Sequence, residues 1–176
     1  VTFSVDRYAA ALRFAAERHH AQRVPGTDLP YVVHVVSVAA EVIAAIAIDR
    51  VDDPDLAVAC ALLHDTLEDT ATARDELVAA FGLAIADGVQ ALTKDKAHAD
   101  PMADSLRRIR MCPREIWIVK LADRTTNLGP PPPHWTVDKC RAYRAEGLAI
   151  ADALGTASPA LDARLRSRAA AYGAFC

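Results

Sequence analysis

The stretch "HDTLED", residues 64–69, sets His64, Asp65, Glu68 and Asp69 within six positions, directly behind an apolar run. Burying carboxylates without partners is costly, so either this is a solvated helix end or a cation is held there. His64 and Asp65 are adjacent and cannot share a helix face. At a helix end, however, both can converge on one ion, as an imidazole nitrogen and a carboxylate oxygen. Glu68 and Asp69 follow at i+4 from each, one turn further along. Carboxylates near a helix C-terminus face the negative end of the macrodipole, a conflict that a bound cation removes.

Two other segments supply matching chemistry. In "YVVHVVSVAAEV", His34, Ser37 and Glu41 fall at i, i+3 and i+7, a polar stripe on an apolar helix. In "VKLADRTTNL", Asp123 and Asn127 lie four apart, flanked by Lys120 and Arg124. Taken singly, each has a plainer reading: a hydrogen-bonded core histidine, and surface ion pairing of Asp123 with Arg124 or Lys120. Together, His34, His64, Asp65 and Asp123 make a mixed nitrogen and oxygen donor set. Such a set suits one first-row divalent metal with positions left open for water, and its oxygen content leans toward manganese or iron over a closed structural zinc.

The elements that must position these residues read as helices. Asp53-Pro54 pairs an N-cap with a first-turn proline for a helix through about His64, and Thr72 with Asp75 resembles a capping box. Asp100-Pro101 opens a short helix. Cys112-Pro113 starts one that stops near Gly129, and Thr136 and Ser158-Pro159 start two more ending at Gly155 and Gly173. "YVVHVVSV" and "IWIVKL" are β-branched enough for buried strands. Both run on into stretches too long for ordinary strands, and no hairpin signal flanks either. The expectation is an all-α fold with loops near 22–31, 94–101 and 128–135, the last holding the stiff "PPPP" of residues 130–133.

Composition narrows the setting. At 176 residues the chain is long enough for one domain with a real core, expected over 1–176. Against 23 Asp and Glu stand 20 Lys and Arg, a formal charge of −3 that gives no reason to expect a nucleic-acid surface. Cys60, Cys112, Cys140 and Cys176 lack CxxC spacing and suit a reduced cytoplasmic protein. Asp6 and Arg7 stand where a signal peptide would be apolar, and His34 and Glu41 interrupt the longest apolar run, which argues against a membrane span. The oligomeric state is not legible.

"PYVVHVVSVA", "ALLHDTLEDT" and "VKLADRTTNL", with "FAAERHHAQR" and "AAFG", resemble in order and spacing the signature segments of the RelA/SpoT alarmone hydrolase domain, especially the stand-alone small alarmone hydrolases. The resemblance runs from about Phe14 to Leu154. It implies a single-domain HD-type helical bundle that removes the 3′-pyrophosphate of guanosine tetra- or pentaphosphate, giving GDP or GTP, with one manganese ion. His34, His64, Asp65 and Asp123 would hold the metal, and Glu68 and Asp69 would orient and deprotonate the attacking water. Asn127 would contact the nucleotide, Arg23 would pack on the purine, and Lys96, Lys139 and Tyr143 fall where phosphate contacts are expected. Lys94, Lys96, Arg141 and Arg144 are equally compatible with solvated surface side chains.

Three positions depart from the family pattern. Val24 replaces a second basic residue after Arg23, Val35 replaces a proline after the metal histidine, and "LGPPPPHW" follows Asn127 where a basic residue is usual. They fall on nucleotide contacts, so the base is guanine by default with adenine as a variant. Another HD-type nucleotidase or triphosphohydrolase, or an alarmone-binding domain without catalysis, would share much of this pattern.

Overall fold

The structure, a computed structural model, describes residues 2–176. The chain runs through α1 (Val5–Arg18), α2 (Val32–Ile48), α3 (Pro54–Leu63), the single turn α4 (Thr66–Asp69), α5 (Arg74–Phe81), α6 (Leu83–Leu92), α7 (Pro101–Ile109), α8 (Arg114–Asn127), α9 (Val137–Leu154) and α10 (Pro159–Tyr172). The described residues form no β-strand, so the all-α expectation holds, and both β-branched segments are helical as their length argued.

Several boundaries follow from side-chain caps. Asp53 accepts from the Leu56 N–H at 2.9 Å, Asp100 from Ala103 at 3.0 Å, Thr136 from Lys139 at 3.2 Å and Ser158 from Leu161 at 3.1 Å. Each satisfies an N–H with no partner inside its helix. One expectation fails. The capping box placed at Thr72 and Asp75 is not formed: only its reciprocal half exists, one residue on, where Glu76 accepts from the Ala73 N–H at 3.1 Å, while Thr72 is engaged by the Thr70 hydroxyl. The helix expected through about His64 ends at Leu63 with His64 as its cap, in agreement, and the acidic pair belongs to the separate turn α4.

α3 sits at the centre. Every residue from Leu56 to Leu63 is buried, as expected of a helix apolar all round. It packs against α1, α2, α6 and α8, and α9 and α10 close over α8. Burial of Leu62 and Leu63 contributes roughly 1.5–3 kcal/mol each. This fixes the end of α3, and with it His64, against α2 and α8.

The 19–31 loop folds back on itself, with Val24 N–H donating to Leu29 O at 2.9 Å and Tyr31 N–H to Gln22 O at 3.0 Å. Gly26 turns it at φ +79°, where an L side chain is strained. A Cβ there would meet Pro132 Cβ at 3.2 Å, so the polyproline loop packs directly on this one. No helix among the described residues is long and apolar enough to cross a membrane.

Candidate metal centre

His34 occupies the first turn of α2, His64 and Asp65 the break between α3 and α4, and Asp123 the buried face of α8. The packing of α3 between α2 and α8 brings them together. The two imidazole Nε2 atoms lie 3.3 Å apart. Asp65 Oδ2 is 2.8 Å from His64 Nε2 and 3.6 Å from His34 Nε2, and Asp123 Oδ1 is 3.7 and 3.6 Å from the same two nitrogens. His34, His64 and Asp65 each offer a donor atom within 4.8 Å of the others.

The donor chemistry fits a divalent cation. His64 Nδ1–H donates to the Ala61 carbonyl at 2.8 Å, which leaves the Nε2 lone pair pointing at carboxylate oxygens. Lone pairs in that arrangement repel unless a cation sits among them. Without a metal, protons take that place. Burial alone would lower the His64 pKa, but Asp65 and Asp123 outweigh it and hold it well above 6.5; His34 is raised in the same way. Burial would raise both carboxyls, yet Asp123, facing Lys120 and both imidazoles, and Asp65, facing the imidazoles, are held below the usual carboxylate range.

Each carboxylate has its own support. The Tyr31 hydroxyl donates to Asp65 Oδ2 at 2.6 Å; burial first, then Asp65, pushes the phenol far up, so it stays a donor. Lys120 Nζ donates to Asp123 Oδ2 at 3.0 Å, and Asn127 Nδ2 to Asp123 Oδ1 at 2.5 Å. The expected nucleotide contact Asn127 is therefore engaged with a metal-side carboxylate. Tyr31 was missed from sequence, although its position three before His34 is a usable signal.

Beside the donors opens a cavity of about 170 Å³, lined by Glu68, Asp69, Tyr143 and Asn127 and by the cations Lys94, Lys120 and Arg124. Glu68 is half-buried and accepts from the Lys94 N–H at 3.0 Å. Asp69 is exposed and accepts from Gln22 Nε2 at 2.9 Å, and Gln22 in turn accepts from the buried His19 at 2.6 Å. Tyr143 carries the Arg124 guanidinium 4.1 Å above its ring. Arg23, Lys96 and Lys139 do not line the cavity. Arg23 is exposed, Lys96 is 70% exposed with Nζ 3.6 Å from Glu68, and Lys139 lies over the Trp135 ring at 4.3 Å.

Residues 11–151 match the HD domain family. A guanosine-3′,5′-bis(diphosphate) 3′-pyrophosphohydrolase of Danio rerio is 30% identical over 162 residues, covering 88% of each chain. The enzyme of that name from Aquifex aeolicus is 32% identical over 67% of this chain, and a GTP pyrophosphokinase of Brucella melitensis 36% over 65%; the match spans only 17% and 16% of those longer proteins. A solved structure described as a metazoan orthologue of SpoT that hydrolyses ppGpp superposes with a TM-score of 0.83 over 96% of both chains at 24% identity, which establishes the shared fold. With the HD match running through most of the chain and the Danio rerio relative covered nearly end to end, the chain belongs to the HD domain family, in its RelA/SpoT alarmone hydrolase branch.

Proposed function

We propose that the chain hydrolyses the 3′-pyrophosphate of a purine nucleotide alarmone, guanine by default with adenine as a variant, yielding pyrophosphate and the 5′-di- or triphosphate, GDP or GTP for guanine. The observation that carries this is one cavity lined by His64, Asp65 and Asp123, two further carboxylates and three cations, with His34 Nε2 3.6 Å from both Asp65 and Asp123 behind it. The likeness to the Danio rerio pyrophosphohydrolase supports the substrate class.

His34, His64, Asp65 and Asp123 hold one divalent ion, which we assign as manganese from the oxygen share of the donors. When bound, such an ion lowers the pKa of water and neutralises phosphoryl oxygens. Glu68 and Asp69 orient the attacking water and take its proton. The oxygen of that water bonds to the phosphorus attached to O3′, the P–O3′ bond breaks, and O3′ leaves with a proton while pyrophosphate is released. Asn127 and Tyr143 edge the nucleotide side, with Arg23 on the purine and Lys96 and Lys139 as outer phosphate contacts. We read residues 1–176 as one domain. The four free thiols, two of them buried, suit a reducing cytoplasm.

The test incubates manganese-loaded protein with the guanosine and adenosine 3′-pyrophosphate nucleotides side by side, with an EDTA control, and separates the products. Metal-dependent pyrophosphate release is expected. Orthophosphate or triphosphate instead would point to another HD-type phosphohydrolase, and tight binding without turnover to a sensor.

A further inference from the structure

We infer that Lys94, two residues before the lysine its sequence context favours, is the cationic clamp on the substrate's 3′-pyrophosphate. The inference rests on the function proposed above. Lys94 follows the end of α6, and its N–H is tied to Glu68 Oε2 at 3.0 Å, which sets its Cα beside a proposed water-activating carboxylate. Its backbone is braced from the other side as well. The Arg108 guanidinium donates to the carbonyls of Gln90, Ala91 and Thr93 at 2.8, 3.0 and 2.7 Å.

Of the cations lining the cavity, Lys120 is committed to Asp123 at 3.0 Å, and Arg124 to Glu146 at 3.0 Å and to the Tyr143 ring. Lys94 is half-buried and forms no ion pair among the described residues. Burial first, then the charges of Lys120 and Arg124, lower its pKa against the pull of Glu146 and Glu68, so no carboxylate within the fold fully compensates its charge. The missing partner is an anion. Because the same cavity holds the metal donors, that anion must span from them to Lys94, as a phosphoryl chain does and a lone carboxylate does not. A lysine suits this role as a compact charge with three donors for non-bridging oxygens. Lys96, largely solvated, is screened by water and adds little.

The experiment uses the full chain with Lys94→Ala, Lys94→Arg and Lys96→Ala. Equilibrium dialysis of labelled inorganic pyrophosphate at fixed free metal should show binding about 10- to 100-fold weaker in Lys94→Ala, partly restored in Lys94→Arg, and only about two- to threefold weaker in Lys96→Ala, the loss of a solvated outer contact. Metal content and thermal midpoint should stay unchanged, because the Lys94 side chain makes no hydrogen bond among the described residues and its N–H survives substitution. In turnover, kcat/KM of Lys94→Ala should fall about 100-fold. Pyrophosphate held equally by wild type and Lys94→Ala, or by neither, overturns the assignment. A wild-type protein that binds pyrophosphate through Lys94 but releases none from either nucleotide overturns the proposed reaction and leaves the clamp standing.

Discussion

Lys120 Nζ and Asp123 Oδ2 lie 3.0 Å apart on the buried face of α8, while the other oxygen of Asp123 faces both imidazoles. The ammonium thus fixes which oxygen is offered to a metal and balances a carboxylate that would otherwise be unpaired away from water. Replacing it by the near-isosteric methionine should weaken metal retention about 10- to 100-fold, the usual cost of losing an outer partner of a ligand. Competition against a chelator of known affinity measures this, and unaltered retention in Lys120→Met would show the pair to be irrelevant to the metal.

The roles of the two acidic groups separate by substitution. Asp123→Ala should abolish both metal binding and turnover. Glu68→Gln should keep the metal and lose at least about 100-fold in kcat, since the amide still accepts from the Lys94 N–H but cannot take a proton. Metal analysis of both variants decides the matter: equal metal loss would sink the division of labour.

How much of this was legible follows from where the information sits. Asp53-Pro54, Asp100-Pro101 and Ser158-Pro159 encode their helix starts within a few residues, and the structure starts helices there. The break after Leu63 has no such marker, because His64 and Asp65 carry no backbone restriction and the chain turns there to suit the core. Thr72 was misread because Thr70, two residues away, competes for it. The cluster of His34, His64, Asp65 and Asp123 was expected from residue type once the three segments were taken together, and the structure brings the four side chains to one point. The phosphate side was not legible in this way. Whether Lys94 or Lys96 faces inward depends on a bond from Lys94 to Glu68 across 26 residues, and the Tyr31 hydroxyl reaches Asp65 across 34.

Metal removal should expose a pH dependence whose sign is fixed by the site. In the chelated protein the His64 pKa, lowered by burial but raised further by Asp65 and Asp123, stands well above 6.5. Its contribution to stability is fully present below the unfolded value near 6.5 and is lost as pH rises through the folded one. Asp123 stands well below 3.8, against the effect of burial, through Lys120 and the imidazoles. Its contribution is present above 3.8 and is lost as pH falls through its folded value. The chelated protein should therefore be most stable between about pH 4 and 6.5, with its midpoint falling on the alkaline side. Metal should remove that alkaline fall and release on the order of one proton per ion at neutral pH. Calorimetric scans with EDTA and with manganese test this, and a flat midpoint from pH 6 to 9 in EDTA would count against the paired cluster.

Two substitutions of similar cost distinguish general loosening from loss of position. Adding a methyl at Gly88 would bring Cβ to 2.6 Å from Ile116 Cδ1 and 2.8 Å from Cys60 Sγ, so Gly88→Ala should overpack the α3, α6 and α8 contact by about 1–3 kcal/mol. Arg108→Met removes the donor to three carbonyls at the end of α6 and to Asp104 Oδ2 at 2.8 Å, at a cost of about 2–3 kcal/mol. Only the second unfastens the residues that carry Lys94 to Glu68. At a temperature where both variants are folded, Gly88→Ala should turn over within about threefold of wild type. Arg108→Met should lose about tenfold or more in kcat/KM with its metal still bound, because the water-activating carboxylate and the ammonium beside it are no longer held in register. Equal losses in the two variants would mean that stability, and not the placement of residues 93–96, governs the rate.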